Sequence, residues 1–156
     1  MITRSAAVAC LAILAMGAAA TTNRADSEEA MSIRSITPLL YVEEIEPSLP
    51  FWERLGFTRE AEVPEGGRLG FVILKHGNTQ IMYQTRASVA ADVSALADTP
   101  MGGTLLFIEV EDLVSIEKSL GDAPVIFPKR TTFYGATEIG VREPAGNAVT
   151  FAQFSR

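Results

Sequence analysis

The chain has 156 residues, a formal net charge of −6 and an apolar content of 47%. This length suits one ordinary domain, and the composition is typical of a globular protein rather than a disordered one. The negative charge and the lack of a dense Lys/Arg stripe argue against binding to nucleic acid or to an anionic membrane surface. We therefore expect neither of these partners for the folded domain.

The first twenty residues have the layout of a secretory signal peptide. Arg4 is followed by a run without charge, 5–20, that ends in three alanines. The run is too short for a comfortable membrane span, and we expect cleavage before Thr21. The mature protein would then be secreted or periplasmic, without a membrane anchor. The alternative is a true start at Met31, which would make the protein cytoplasmic.

Cysteine chemistry depends on this N-terminal segment. Cys10 is the only cysteine of the chain and lies inside the uncharged run. Its removal with a signal peptide would leave a mature chain without disulfides, thiolate metal sites or cysteine nucleophiles. Residues 21–32 are polar and acidic, and their composition predicts a linker.

The rest of the chain, 33–155, contains two copies of one small unit. Residues 42–45 are echoed by residues 110–113, 68 positions later. In each half the pattern predicts a strand, a helix and then three strands, with a Gly-Asn pair before the last strand. Module one would cover 33–86 and module two 102–155.

The predicted elements of both modules follow the same order. Module one contains a strand over 35–42, a helix over 46–55, and strands over 59–63, 69–75 and 79–84. A short linking helix is predicted over 87–97. Module two contains a strand over 104–110, a helix over 113–120, and strands over 124–132, 137–142 and 148–154. This alternation of short strands and helices predicts an α+β fold.

Two short signatures in the modules resemble the vicinal-oxygen-chelate superfamily, which includes glyoxalase I, extradiol dioxygenases and bleomycin-resistance proteins. The first is the helix end 51–57, and the second runs from Tyr134-Gly135 to the turn 143–147. The resemblance implies two βαβββ modules that form a curved mixed sheet around a cavity, and it implies a homodimer. It does not fix the activity, because this fold hosts many unrelated chemistries.

The positions that match the metal ligands of that superfamily carry no suitable donors. The resemblance places these ligands on the first and last strand of each module, at Thr37, Met82, Leu105 and Thr150. Leu cannot ligate a metal, and Thr and Met do not make a site for a hard divalent ion. We therefore expect no metal and no other cofactor. His76, the only histidine, lies at a predicted hairpin tip and is expected to face solvent.

Strand alternation predicts the lining of the cavity, because successive side chains of a strand point to opposite faces. The more apolar face of each strand would pack under the helices, and Tyr134 would cap the opposite side. The predicted ligand-binding residues are Thr37, Tyr41, Gln80, Met82, Phe107, Glu109, Tyr134, Glu138, Arg142 and Thr150. This mostly apolar lining suits a small organic molecule. The carboxylates of Glu109 and Glu138 would favour a cationic one.

Three functions are compatible with the sequence. The first is a metal-independent small-molecule-binding protein of the glyoxalase/bleomycin-resistance type. The second is a lyase or isomerase with an atypical metal site built around Glu138, Gln80 and Glu109. The third is a structural module that fills its own cavity and binds nothing. No phosphate loop, nucleophile elbow or zinc-protease motif indicates another chemistry, so the sequence does not decide whether the protein is an enzyme.

Overall fold

The computed structural model describes residues 34–155. The predicted signal peptide 1–20, the linker 21–32 and the alternative start at Met31 lie outside the described residues. From Thr37 onward the chain forms one compact unit, and residues 34–36 carry no regular secondary structure. No helix in the described part is long and apolar enough to cross a membrane.

The elements follow the order predicted for two modules. Module one contains β1 (Leu39–Val42), a 3₁₀ turn (Glu46–Ser48), α1 (Leu49–Arg54), β2 (Thr58–Glu65), β3 (Arg68–His76) and β4 (Thr79–Thr85). The link contains α2 (Arg86–Asp92) and a 3₁₀ turn (Ser94–Leu96). Module two contains β5 (Leu105–Glu109), α3 (Leu113–Ser119), β6 (Val125–Thr131), β7 (Ala136–Arg142) and β8 (Ala148–Phe154).

The boundaries differ from the predicted ones where proline interrupts the pattern. The first strand was predicted from residue 35 but begins at Leu39, directly after Pro38, which has no N–H for a ladder hydrogen bond. The first helix was predicted as one element over 46–55. It is instead a 3₁₀ turn followed by α1, and each of the two has a proline in its first turn. The linking helix predicted over 87–97 ends at Asp92.

The strands form two four-stranded mixed sheets, in the orders β1-β4-β3-β2 and β5-β8-β7-β6. In each sheet the first strand pairs in parallel with the last, and the other pairs are antiparallel. Leu40 lies opposite Tyr83 in the first sheet, and Ile108 lies opposite Phe151 in the second. Matching residues are 68 positions apart, so the modules share the register that the repeat predicts. The α+β fold of two βαβββ modules is confirmed.

One hydrophobic core contains α1, α3 and one side of each sheet. Leu40 and Tyr83 from the first sheet belong to the same buried cluster as Val141 and Phe151 from the second. Trp52 of α1 is fully buried within it. Because both sheets turn these sides to the core, their opposite sides face away from it.

We call these outward sides the open faces. The open face of the first sheet is formed by Leu39, Tyr41, Phe71, Ile73, Gln80 and Met82. The open face of the second sheet is formed by Phe107, Phe127, Arg130, Glu138, Gly140 and Thr150.

A buried carboxylate joins the two modules. Glu143, between β7 and β8, is 1% exposed and accepts a hydrogen bond from Ser48 Oγ at 2.6 Å. It also accepts from the backbone N–H of Ala145 at 3.0 Å and from the backbone N and Nδ2 of Asn147 at 3.0 and 2.6 Å. Of the Gly-Asn pair in this turn, Gly146 has a positive φ of 94° and Asn147 does not. Asn147 stabilises the turn through its side chain instead.

The buried phenol of Tyr83 lies close to the Glu143 carboxylate. Trp52 Nε1 donates a hydrogen bond to the hydroxyl oxygen of Tyr83 at 2.7 Å. Burial raises the pKa of Tyr83, and the nearby charge of Glu143 raises it further. The phenol therefore keeps its proton and serves as a neutral part of the core.

Candidate functional site

The open face of the second sheet brings several of the predicted site residues together. Phe107 lies opposite Thr150, and on the neighbouring row Glu109 and Glu138 flank Ala152 from either side. Thr150 is buried, whereas Phe107 is 50% exposed. For Phe107, Glu109 and Glu138 strand alternation predicted this face, whereas the position of Thr150 came from the family resemblance.

Glu138 is the centre of this face. Its Oε1 accepts hydrogen bonds from Arg130 Nε at 2.9 Å and Nη2 at 2.6 Å, and its Oε2 accepts one from the Tyr134 hydroxyl at 2.5 Å. The Glu138 side chain is only 2% exposed. Its two hydrogen-bond partners are themselves close to solvent, because the Arg130 side chain is 60% exposed and Tyr134 is 44% exposed. We call these three residues the Arg130–Glu138–Tyr134 cluster.

The cluster fixes the protonation of its members. The hydrogen bond from Tyr134 lowers the pKa of Glu138 most, and the hydrogen bonds and charge of Arg130 lower it further against the opposing effect of burial. The carboxylate in turn raises the pKa of Tyr134, chiefly by accepting its proton in a hydrogen bond. At neutral pH Glu138 is therefore ionised, Tyr134 is a neutral donor, and Arg130 balances the negative charge.

Aromatic rings surround the cluster. The Arg130 guanidinium lies 4.7 Å from the ring centroid of Phe127. Phe133 is fully exposed and packs edge to face against Tyr134, with the ring centroids 5.1 Å apart. The ring centroid of Phe154 of β8 lies 6.2 Å from that of Tyr134. The face thus presents flat apolar surfaces beside a polar group.

The contact between Phe127 and β7 requires a glycine. A Cβ atom at position 140 would lie 2.2 Å from Phe127 Cε1, far inside van der Waals contact. Gly140 therefore lets the ring of Phe127 lie against the strand backbone. This brings Phe127 below Arg130, where the ring supports the guanidinium.

Phe127 and Arg130 were missed by the sequence analysis. Three positions separate them, so plain alternation places them on opposite faces of β6. The register shifts between Val125 and Phe127 and again between Phe127 and Arg130, and this irregularity turns both side chains to the same face. Pro128 lies between them on an edge strand, and a proline at such a position is the signal that could have indicated the bulge.

Arg142 shares this face but not the cluster. It is exposed, and its Nη1 donates a hydrogen bond to the carbonyl oxygen of Gly146 at 2.6 Å. The partner of Glu138 is therefore Arg130. The expectation of a cationic ligand counted two free carboxylates, Glu109 and Glu138, and the second of these is already neutralised.

The other predicted site residues lie on the first sheet. Gln80 Nε2 donates a hydrogen bond to Thr37 Oγ1 at 2.9 Å. Met82 lies opposite Leu39, and both Met82 and Tyr41 are half-buried. Tyr41, Gln80 and Met82 thus belong to the first sheet, and Thr37 lies just before it.

Two cavities in the described part of the chain both include Tyr41. The larger, about 450 Å³, is an open groove between β1 and the β7–β8 turn, with Pro47, Met101 and Pro144 among its lining residues. Neither cavity includes Met82, Phe107 or Glu138. A pocket shared by Tyr41 with these three residues therefore stays a prediction.

Metal donors are sparse in the described residues. Within residues 34–155, no group of three or more His, Cys, Asp or Glu side chains could hold a metal ion. Of the proposed atypical set, Gln80 lies on the first sheet, while Glu109 and Glu138 lie on the second. His76 is exposed at the end of β3, and its ring lies 5.4 Å from that of Phe57.

Comparison with solved structures identifies the fold. A glyoxalase/bleomycin resistance protein/dioxygenase from Nocardioides superposes with a TM-score of 0.61 at 18% identity, covering 80% of this chain and 87% of that one. A family enzyme of the same description from Burkholderia phytofirmans PsJN gives 0.62 at 15% identity, covering 76% and 97%.

A third solved structure is the bleomycin-binding protein from Streptomyces verticillus, complexed with copper(II)-bleomycin. It gives a TM-score of 0.54 at 19% identity and covers 81% of this chain and 99% of that one. No family model and no curated protein matches the chain. The chain therefore has the glyoxalase/bleomycin-resistance/dioxygenase fold, which confirms the resemblance predicted from its sequence at the level of the fold.

Proposed function

We propose that this protein binds a small, partly apolar organic molecule on the open face of its second sheet, without a metal ion. The observation that carries the proposal is the Arg130–Glu138–Tyr134 cluster. It is a hydrogen-bonded polar group set among exposed aromatic side chains, and ligand sites typically combine apolar walls with a few oriented polar groups.

The floor of this face supports the proposal. Thr150 and Ala152 of β8 and Gly140 of β7 are small and buried. The large side chains stand at the edges, where Phe107 and Phe133 are 50% and 100% exposed. The exposed rings offer apolar surface to a ligand beside this small-residue floor, of which the Phe127 ring covers Gly140.

A second copy of the chain is part of the proposal. Apolar residues on the open face of the first sheet, such as Leu39 and Met82, are only partly buried by the rest of the described chain. A homodimer would cover them and narrow the solvent-open side of the site. Sedimentation analysis should then give about twice the monomer mass of 16.8 kDa. A single-chain mass at all concentrations would remove this part of the proposal.

Metal independence rests on donor chemistry. Thr37, Met82, Leu105 and Thr150 provide neither imidazole nor carboxylate at the positions where the resemblance implies ligands. Chelator treatment should leave ligand binding and the unfolding midpoint unchanged. Stoichiometric metal in elemental analysis of the native protein, lost in Glu138→Ala, would favour the lyase or isomerase instead.

The central test is native mass spectrometry of protein purified without denaturation, followed by binding measurements with the molecule that co-purifies. Phe107→Ala should weaken binding by removing apolar contact, and it should change stability little because Phe107 is half exposed. Val114→Ala is a matched control, since Val114 is 53% exposed but lies on α3. Equal, small effects of both changes on binding would contradict the proposed location.

A further inference from the structure

We propose that the ligand of this face carries an anionic group, which binds to the free edge of the Arg130 guanidinium. This inference rests on the proposed function, since it specifies the chemistry of the same site. The class that fits is a flat, largely apolar molecule with a carboxylate or a similar oxyanion. This ligand is opposite in charge to the cationic one that the sequence predicts.

The hydrogen bonds of Arg130 leave one edge of its guanidinium available. An arginine has five N–H donors in a planar fork. Nε and Nη2 both donate to Glu138 Oε1, which occupies the edge on the Nε side. Among the described residues, no acceptor lies at the second edge, formed by Nη1 and the remaining Nη2 hydrogen. That edge matches the spacing of a carboxylate and can donate two parallel hydrogen bonds to it.

The guanidinium is also held in place before any ligand arrives. Glu138 fixes it from one side, and the ring of Phe127 lies under it at 4.7 Å. A preorganised cation loses less conformational entropy on binding than a free arginine side chain does. Since the Arg130 side chain is 60% exposed, its free edge is accessible.

Glu138 cannot bind a cationic group in the way that Arg130 can bind an anionic one. Its two oxygens already accept three hydrogen bonds, and its side chain is 2% exposed. The ion pair is neutral as a whole, and its solvent-facing member is the cation. A ligand that approaches this pair therefore meets guanidinium N–H groups rather than carboxylate oxygens.

Glu109 is the remaining carboxylate on this face, and it lies too far away to repel the anion strongly. It stands on β5, while Arg130 stands on β6 at the opposite edge of the sheet. Adjacent strands are about 4.8 Å apart, so the backbones of Glu109 and Arg130 are three spacings, or roughly 14 Å, apart. The backbone of Glu138, whose carboxylate holds the guanidinium, lies two spacings, or roughly 10 Å, from that of Glu109. Both separations exceed the Debye length of about 8 Å at physiological ionic strength.

The aromatic surroundings define the rest of the ligand. Phe133 and Tyr134 are exposed next to the cluster, and Phe107 is half exposed two strands away from β7. These rings offer apolar faces for stacking, while the guanidinium supplies the polar anchor. An aromatic carboxylate satisfies both.

Three probes with one ring system and different head groups test this inference: 2-naphthoate, 2-naphthylmethanol and 2-naphthylmethylammonium. Calorimetric titration of the full-length protein should show 2-naphthoate binding about tenfold tighter than the alcohol, which corresponds to about 1.4 kcal/mol. The ammonium probe should bind more weakly than the alcohol. Arg130→Gln should abolish the preference for the acid.

Two further variants separate the role of the guanidinium from charge and from folding. Arg130→Lys keeps a cation beside Glu138 but lacks the two-donor edge. Its preference for 2-naphthoate over the alcohol should therefore fall between those of the wild type and Arg130→Gln. Lys129→Gln removes the same charge from the neighbouring position, where Lys129 Nζ contacts Glu117 of α3 at 2.8 Å, and should keep the full preference. Circular dichroism spectra of all variants should match the wild type.

The outcomes distinguish the inference from the proposed function. Equal affinities for the acid and the alcohol, unchanged in Arg130→Gln, would overturn the anionic ligand and leave organic-ligand binding intact. Preference for the ammonium probe would overturn it in favour of the cationic ligand. Failure of all three probes to bind would overturn the proposed site itself, because a face built for flat apolar molecules should retain at least the naphthyl ring.

Discussion

The open faces of the two sheets carry different side chains at matching positions, and the first such pair differs in charge. In the first sheet Val63 of β2 lies opposite Phe71 of β3. In the second sheet the same register places Arg130 opposite Glu138. An apolar pair in one module is therefore replaced by an ion pair in the other. Because the core sides of both sheets keep the same pairing, the difference shows that the open faces are free to take on separate roles.

A second pair of matching positions exchanges large and small side chains. Ala61 lies opposite Ile73 in the first sheet, whereas Phe127 lies opposite Gly140 in the second. The large residue thus stands on the inner strand in module one and on the edge strand in module two. In module two the ring therefore reaches in from the edge strand and covers Gly140, whereas in module one the inner strand carries its own large side chain.

The turns before the last strands also differ between the modules. His76 pairs with Thr79 around the two-residue loop 77–78, while Glu143 pairs with Asn147 around the longer loop 144–146. The extra residue positions a carboxylate against module one, and the shorter turn has an exposed His76 at the matching place.

The largest expected effect comes from removing the buried carboxylate that distinguishes the second turn from the first. Glu143→Ala should lower the free energy of unfolding by about 2–4 kcal/mol, because the buried donors of Ser48 and Asn147 lose their acceptor. Urea unfolding measures the loss. His76→Ala is the matched control and should change stability by less than about 0.5 kcal/mol, as expected for an exposed position. Similar losses in both variants would mean that the longer turn adds no stability.

The next effect tests the exchange of large and small residues. Gly140→Ala should destabilise the protein by about 1–3 kcal/mol, because the added methyl group overlaps the ring of Phe127. Adding Phe127→Ala should recover part of this loss, and a double-mutant cycle in urea gives the coupling between the two positions. If the losses simply add, the ring is not what excludes a side chain at position 140.

Much of the fold could be predicted from the sequence because its signals are local. Turns at Gly-Asn pairs and the alternation of apolar residues depend on neighbouring positions, and the repeat supplied the register between distant strands. Alternation also placed Glu138 and Phe107 on the correct face. These inferences need no knowledge of which side chains meet across the sheet.

The contacts within the site could not be predicted, and their causes are not local. The bulge around Pro128 changes which residues of β6 face outward, so Arg130 was assigned to neither the face nor the cluster. Arg142 was placed on the correct face, but its long side chain bends back to the carbonyl group of Gly146. Both outcomes depend on strand irregularity and rotamer choice, which periodicity does not encode.

A smaller effect distinguishes the ion pair of module two from its apolar counterpart. The pKa of Glu138 is lowered below its ordinary value of 4.5 in the folded state. Its contribution to stability is therefore present above pH 4.5 and is lost as the pH falls through the lower folded value. At neutral pH the free energy of unfolding should be roughly 1 kcal/mol higher for the wild type than for Glu138→Gln. The difference is small because the partners of Glu138 are partly exposed to solvent. In urea unfolding this difference should shrink below pH 4.5, and a constant difference would contradict the ionic origin.

The smallest expected effect concerns a pair of exposed cations at matching positions, Lys75 in module one and Arg142 in module two. Lys75 Nζ contacts Glu60 at 2.8 Å, but both side chains are more than 40% exposed. Solvent screening leaves such pairs little net energy, so Lys75→Gln should change the free energy of unfolding by less than about 0.5 kcal/mol. Arg142→Gln should behave alike, because Arg142 is also exposed and its partner is a carbonyl oxygen rather than a buried carboxylate. In urea unfolding at low and high salt, both substitutions should leave the free energy of unfolding nearly unchanged. Arg130→Gln should lower it more, because the nearly buried Glu138 then lacks its counter-charge. A loss in either control as large as that of Arg130→Gln would mean that the cluster is an ordinary surface ion pair and that the two open faces differ less than their side chains indicate.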